Sequence, residues 1–245
     1  MEEPFVILIG GATGVGTSSV ASKLSEIYPV RGFQRTDAIR QVLRTILGPL
    51  SKPELFQSTY RAYENIDAIY GDPKVMGLDK VLYGHIRQSE IIFLGIEGSI
   101  ARDINERINS IYEGVHILPA KLKQPDWYNK QIRAKTIGAN FGVELLSFQD
   151  YNKHIIELVI DVENPDQHKK RLVSRGEDYA QNRPSEKYLD NFDKIRVIRD
   201  FIVGLAKTNE IPVIQNNNLN ETIEQCVAVI TKKTQGKLVQ KNVKL

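Results

Sequence analysis

Short segments that are almost continuously apolar alternate along the chain with longer segments whose apolar residues recur at helical spacing. Residues 5–9 and 155–162 have the length and composition of strands that are buried on both faces of a parallel sheet. Further strands are predicted at 30–35, 108–119 and 211–214, and helices at 18–28, 38–44, 185–207 and 219–231 and from about 168 onwards. This alternation predicts an α/β fold with three layers around a parallel sheet.

A glycine-rich turn joins the first predicted strand to the first predicted helix. Its spacing of Gly11, four residues, Gly16 and a hydroxyl at Ser18 fits the P-loop, except that Thr17 stands where the motif has lysine. Such a loop turns backbone N–H groups towards phosphates, and the following helix adds the positive end of its dipole. A dinucleotide-binding turn is the alternative, but two hydroxyls directly after the last glycine suit a metal-bound nucleotide better. We therefore predict ATP binding, with Ser18 as a ligand of Mg²⁺, by residues Gly11, Ala12, Thr13, Gly14, Val15, Gly16, Thr17, Ser18 and Ser19.

A second group of charged residues follows the second predicted strand. Asp37, Arg40 and Arg44 fall at i, i+3 and i+7, on one face of a predicted helix whose N-cap would be Thr36 or Asp37. This face either carries solvated charges or looks across the strand ends towards the P-loop. In the second interpretation Asp37 orients an acceptor hydroxyl, and the two arginines bind an anionic substrate.

The third predicted strand contains an acid, Glu113, that is followed by Gly114. A carboxylate at the end of a parallel strand beside a P-loop can hold a Mg²⁺-bound water or accept a proton from the acceptor, whereas a solvated strand end is the simpler alternative. His116 either binds substrate phosphate or is a hydrogen-bonded structural histidine. We predict Glu113 as a catalytic residue and His116 as a substrate-binding residue.

Two long stretches lie outside the simple alternation of strands and helices. Residues 54–70 and 76–107 have helical patterns separated by Gly71-Asp72-Pro73, and we expect 54–107 to form a helical substrate lobe. Residues 120–152 mix basic, aromatic and glycine residues without a clear period. We expect an ordered insertion there, with one short helix.

A polar segment at 175–184 connects two predicted helices and is typical of a mobile lid, with a solvated loop as the alternative. Arg175 and Arg183 flank this segment, and Arg171 precedes it. An arginine that arrives from a lid can neutralise the charge that grows on a transferred phosphoryl group. We predict Arg175 and Arg183 as catalytic residues that compensate for the missing P-loop lysine.

Composition and charge add limits. The 245 residues suit a single domain at 1–235 with a basic tail at 236–245. Five lysines lie in the last fourteen residues, and subtracting them from the net charge of +3 leaves −2, so the basic character does not favour a nucleic-acid partner. No apolar run reaches the roughly 18 residues of a membrane span, and the acidic start does not fit a signal peptide. We expect a cytoplasmic protein with no membrane partner; the sequence does not predict an oligomeric state.

Five motifs occur in order along the chain: Gly10 to Ser18, Thr36-Asp37-x-Ile39-Arg40, Glu113-Gly114-Val115-His116-x-x-Pro119, His168-x-x-Arg171, and Tyr188-Leu189-x-Asn191-Phe192-x-x-Ile195-Arg196. Together they resemble the archaeal 2-phosphoglycerate kinase family over most of the chain. The resemblance implies a fold similar to nucleoside monophosphate kinases, and ATP-dependent phosphorylation of 2-phosphoglycerate to 2,3-bisphosphoglycerate. The insertion at 120–152 looks longer than the link usual in the family. Because the first predicted strand starts at residue 5, we expect no extra nucleotide-binding module before it.

Two alternative functions stay open at this point. The acceptor could be another anionic metabolite or a nucleotide. A protein that lost catalysis together with its P-loop lysine could also be a nucleotide-binding regulator. In each case the partners are ATP and small molecules.

The lid arginines generate a first prediction. Removing Arg175 or Arg183 should lower kcat by at least about a hundredfold, on the order of 3 kcal/mol, with a smaller change in ATP affinity, because their charge matters most in the transition state. Thr17→Lys should restore little activity, since the loop is shaped around a hydroxyl. Steady-state kinetics of the three variants tests this. Parent-like turnover of both arginine variants, with a strong gain in Thr17→Lys, would indicate an impaired P-loop instead.

Overall fold

The computed structural model describes residues 3–64, 66, 79–123, 153–177 and 185–236, with the backbone alone at 123 and 175–177. Five parallel strands form one sheet in these ranges. They are β1 Val6–Gly10, β2 Gly32–Arg35, β3 Ser110–Gly114, β4 Ile155–Asp161 and β5 Val213–Gln215. Their order in the sheet is β2-β3-β1-β4-β5, and every neighbouring pair is parallel.

Seven α-helices belong to the described residues: α1 Thr17–Ile27, α2 Thr36–Ile46, α3 Lys80–Asn105, α4 Pro165–Glu177, α5 Glu186–Leu189, α6 Phe192–Thr208 and α7 Leu219–Lys233. Short 3₁₀ helices occur at Pro53–Phe56, Thr59–Arg61 and Lys121–Lys123. Within these same ranges, no helix combines the length and the apolar character that crossing a membrane would require.

The helices cover both faces of the sheet, because alternate residues of each strand point to opposite sides. Ile7 and Ile9 of β1 belong to a core cluster with residues of α1 and α7. Leu8 belongs to a second cluster with one apolar side of α3, and Val159 of β4 packs in a third cluster with α6. The predicted three-layer α/β architecture with a parallel sheet is therefore confirmed.

Residues 54–61 form two short 3₁₀ helices in place of the continuous helix that their spacing predicts. The physical reason is a tertiary contact from α3. The side-chain amide of Gln88 donates hydrogen bonds to the carbonyls of Glu54 and Gln57, the second at 3.1 Å. A continuing α-helix would use these carbonyls for its own hydrogen bonds. The long second helix of the lobe is present, as α3.

Two other predicted helices differ in detail. The helix α2 begins directly at the end of β2, so its N-cap is Arg35 rather than Thr36 or Asp37, and no side chain caps it. The helix predicted at 185–207 is divided into α5 and α6 at residues 190 and 191.

Several predicted segments extend beyond the described residues. The insertion is described only at 120–123, where it forms a 3₁₀ turn. In the lid segment, residues 175–177 continue the backbone of α4, while 178–184 lie outside the described residues. Of the basic tail, only residue 236 is described.

Two glycines of α3 provide a matched test of how closely this helix packs. A Cβ at Gly84 would lie 2.6 Å from the Cα of Tyr63, whereas nothing lies within 4 Å of a Cβ at Gly98. Backbone cannot move aside cheaply, so Gly84→Ala should lower the free energy of unfolding by about 1–3 kcal/mol despite the better helix propensity of alanine. Gly98→Ala should raise it by about 0.5–1 kcal/mol. Urea unfolding followed by circular dichroism measures both, and equal stabilisation by both changes would contradict the close approach.

Candidate active site

A cleft of about 1060 Å³ opens at the carboxyl edge of the sheet, beside the ends of β1, β2 and β3. Eight of the nine predicted nucleotide-binding residues line it; the ninth, Val15, is fully buried. Its other lining residues are Arg35, Thr36, Asp37, Arg40, Ser58, Thr59, Tyr60, Glu113, Gly114, Val115, Arg171, Ser174, Lys187 and Tyr188. Phosphate-binding and acceptor-binding candidates therefore share one cleft.

The glycine loop has a backbone conformation that side chains other than glycine would oppose. Gly14 and Gly16 have φ values of +90° and +97°, and a Cβ at Gly11 would lie 2.6 Å from the carbonyl oxygen of Ile160. The helix α1 starts directly after Gly16, and no side chain caps its first N–H groups. These N–H groups and the narrow loop fit a bound phosphate chain.

Residues from the far end of the sequence hold this loop. Asn216, which follows β5, donates its side-chain amide to the carbonyl of Val15 at 2.8 Å. His168 of α4 contacts the carbonyl of Thr13 through Nε2 at 2.8 Å, so this nitrogen carries a proton and donates it. Asn216 is not predicted from the sequence. Its position directly after a predicted strand is the signal that could have found it, since the ends of parallel strands meet at one edge.

Glu113 is buried at the end of β3 and is held by the two hydroxyls that follow the glycine loop. The hydroxyls of Thr17 and Ser18 each donate to one of its carboxylate oxygens at 2.9 Å. Burial raises the pKa of Glu113, and the two hydroxyl hydrogen bonds oppose this rise. The alternative of a solvated strand end is therefore wrong. Thr17, which stands where a P-loop has its lysine, binds Glu113 through its hydroxyl.

A divalent cation has suitable donors here. The Ser18 hydroxyl and the Glu113 carboxylate are hard oxygen ligands of the kind that Mg²⁺ prefers. In the part of the chain that the structure describes, no group of three or more His, Cys, Asp or Glu side chains could hold a metal. A Mg²⁺ ion at this position would therefore take most of its other ligands from nucleotide phosphates and water.

The charged face of α2 is only partly directed at the cleft. Asp37 and Arg40 line it, with 3.4 Å between a carboxylate oxygen and a guanidinium nitrogen, and Arg40 also donates to the carbonyl of Gln57 at 2.7 Å. The guanidinium carbon of Arg44 lies 5.1 Å from the ring centre of Phe56, and Arg44 does not line the cleft. The structure therefore brings two of these three residues to the P-loop.

His116 is fully buried behind the cleft wall. Its Nδ1 lies 2.9 Å from the hydroxyl of Thr36, and its Nε2 lies 2.9 Å from the side-chain oxygen of Gln88 and 3.2 Å from the hydroxyl of Thr59. Burial lowers the pKa of His116 to about 3, so the ring is neutral. This arrangement fits the structural alternative, in which the ring positions two residues of the cleft wall.

Two basic side chains of the cleft, Arg35 and Lys187, are not predicted from the sequence. Arg35 ends β2, its side chain is 62% exposed, and its Nε lies 3.8 Å from Glu113. The register of β2 and β3, which pairs Arg35 with Glu113, explains this contact. Of the two predicted lid arginines, Arg175 lies on α4 with only its backbone described, and Arg183 lies outside the described residues.

The sheet order, the glycine loop after β1 and the carboxylate at the end of the neighbouring β3 define a P-loop α/β protein. Its cleft lies at the carboxyl ends of the strands. The strand order reverses there, because β2 and β3 lie on one side of β1 in the sheet and β4 and β5 on the other.

Comparison with known proteins identifies the family. The chain is 36% identical over 232 residues to a 2-phosphoglycerate kinase of Methanopyrus kandleri, covering 95% of this chain and 62% of that protein. It is 33% identical to those of Methanocaldococcus jannaschii (94% and 64% covered) and Methanothermobacter thermautotrophicus (95% and 67%). No protein-family model matches the chain. The chain belongs to the 2-phosphoglycerate kinase family, and it spans 62–67% of the length of these relatives.

The buried histidine makes stability depend on pH. The pKa of His116 is about 3 in the folded protein and near 6.5 in the unfolded chain, so only the unfolded chain takes up its proton as the pH falls between these values. The contribution of His116 to the free energy of unfolding is therefore largest above pH 6.5 and decreases below it. Between pH 7 and pH 5 the parent should lose about 2 kcal/mol more than His116→Gln. Urea unfolding at both pH values measures this, and an equal loss in the two proteins would show that His116 does not carry the effect.

Proposed function

We propose that the protein is an ATP-dependent kinase for a small anionic metabolite, with 2-phosphoglycerate as acceptor and 2,3-bisphosphoglycerate as product. The observation that carries the proposal is the position of Glu113, which the hydroxyls of Thr17 and Ser18 hold where the glycine loop meets the acceptor side of the cleft. The names of the relatives, all 2-phosphoglycerate kinases, support the choice of acceptor.

The nucleotide half of the proposed site is the glycine loop and the start of α1. Their N–H groups bind the phosphates of ATP. The oxygens of Ser18 and Glu113 would hold Mg²⁺, which would supply positive charge to offset the charge of the phosphates. Both protein groups are already within hydrogen-bond distance of each other, so the pair is preorganised.

The acceptor half of the proposed site lies between β2 and the turn at 58–60. An acceptor with a phosphate, a carboxylate and a hydroxyl needs cations and one proton acceptor. Arg40 and Arg35 line the cleft there and supply positive charge. The acceptor oxygen bonds to the γ-phosphorus of ATP while the bond from this phosphorus to the β,γ-bridging oxygen breaks and ADP leaves. Asp37 or Glu113 takes the proton that the acceptor hydroxyl loses.

His116 and Arg44, which the sequence predicts as substrate-binding residues, do not bind the substrate directly in this proposal. His116 acts through the hydroxyls of Thr36 and Thr59, and therefore as a positioning residue. Arg44 contacts Phe56 and so stabilises the outer side of α2. We place the activity in the cytoplasm, because multiply charged phosphate esters do not cross membranes unaided.

Incubation with ATP, Mg²⁺ and 2-phosphoglycerate should release ADP and form bisphosphoglycerate. Ser18→Ala and Glu113→Gln should each lower kcat by about a hundredfold or more, because each removes one of the two proposed Mg²⁺ ligands. Ser22→Ala is the matched control, since Ser22 is an exposed serine of the same helix. ADP release with a different acceptor would keep the kinase and replace the substrate, whereas ATP binding without acceptor-dependent turnover would favour the nucleotide-binding regulator.

A further inference from the structure

The glycine loop lacks the cation that its motif normally carries. Thr17 occupies that position, and its hydroxyl is used by Glu113. The described basic side chains that line the cleft are Arg35, Arg40, Arg171 and Lys187. Arg35 and Arg40 lie near carboxylates on the acceptor side, and Lys187 is exposed on α5. Arg171 alone among these four contacts the loop itself.

The guanidinium of Arg171 reaches the loop from α4. One terminal nitrogen lies 3.5 Å from the carbonyl of Val15, and the other donates to the backbone carbonyl of Asn216. A Cβ at Gly16 would lie 3.3 Å from the first of these nitrogens, so the guanidinium packs against the residue at which the loop becomes α1. A guanidinium has five N–H groups, and these two contacts leave several of them for another acceptor.

Arg171 has no carboxylate partner among the described residues. It is half-buried and lies on the cleft wall, and burial lowers the pKa of its guanidinium. Arg199 shows the contrast, because it is paired with both Asp161 and Asp200. Partial burial of a cation without a counter-ion costs free energy, which an anion bound in the cleft would offset.

The position of Arg171 is set by other contacts of α4. His168, three residues earlier on the same helix, donates to the carbonyl of Thr13. Leu172 packs so closely on Gly14 that its side chain would collide with a Cβ there. The cation is therefore presented by a docked helix and held by two carbonyls, in contrast to a lysine on a flexible stem.

We propose that Arg171 supplies the fixed positive charge for the phosphate chain of the nucleotide that a P-loop lysine supplies in the usual motif. Threonine then occupies position 17 because its hydroxyl holds Glu113. The inference rests on the proposed function only in requiring nucleotide binding at this loop, and it does not depend on the acceptor. Its role also differs from that predicted for Arg175 and Arg183, since Arg171 contacts the loop directly in the structure.

Calorimetric titration of the full chain with ATP and Mg²⁺, and separately with inorganic tripolyphosphate, tests the proposal without measuring turnover. Arg171→Gln should weaken binding of both ligands by about tenfold to a hundredfold, and it should make binding less sensitive to salt. Arg171→Lys should lose less affinity than Arg171→Gln, because it keeps the charge. Lys170→Ala is the matched control. It removes an exposed charge from the preceding position of the same helix and should change affinity less than twofold.

The variants separate charge from mere support of the loop. If Arg171 only held the carbonyls of Val15 and Asn216, a glutamine amide would replace it at least as well as lysine does. An affinity of Arg171→Gln equal to or higher than that of Arg171→Lys would therefore overturn the proposal. Parent-like affinity of Arg171→Gln would overturn it too, while leaving the kinase proposal intact. Nucleotide binding that depends on Arg171 without any acceptor-dependent turnover would support the inference and contradict the kinase proposal.

Discussion

The contact of Glu113 with the hydroxyls of Thr17 and Ser18 is the interaction on which the rest of the cleft depends. It is possible because β1 and β3 are neighbours in register, with Ile9 opposite Glu113, so that the carboxylate ends beside the glycine loop. A buried carboxylate is costly unless donors satisfy it, and here the first two residues of α1 are those donors. The side chain of the residue after Gly16 therefore binds a protein carboxylate, and it supplies no positive charge to the loop.

The two sides of the cleft are supported by different parts of the chain. On the proposed nucleotide side, His168 and Arg171 of α4 and Asn216 after β5 contact the carbonyls of the loop, so that its N–H groups stay available for an anion. On the proposed acceptor side, α2 and the turn at 58–60 form the wall. Glu113 lies between these two sides. The proposed phosphoryl transfer would therefore depend also on α4 and β5, which are distant from the loop in sequence.

The cleft wall formed by α2 and the turn at 58–60 depends on a buried polar cluster. His116 joins Thr36 of α2, Thr59 of the turn and Gln88 of α3, and Gln88 in turn binds the carbonyls of Glu54 and Gln57. Buried polar groups of this kind specify one arrangement, because any other would leave donors or acceptors unpaired. Burial keeps this histidine neutral, so one of its ring nitrogens is a donor and the other an acceptor. The cluster thereby links the stability of the folded protein to pH.

The sequence by itself determined the parallel α/β sheet, the glycine loop and the acid at the end of β3. These features are local: apolar runs mark buried strands, positive φ requires glycine, and the ends of parallel strands meet at one edge. Only the tertiary structure decided that 53–61 forms 3₁₀ turns, that Arg44 turns towards Phe56, and that His116 is buried. Each of these outcomes depends on partners that are remote in sequence or set by packing, such as Thr36, which lies 80 residues from His116. Periodicity along the chain carries no information about such partners, because which side chain completes a buried hydrogen bond is determined only when the layers pack together.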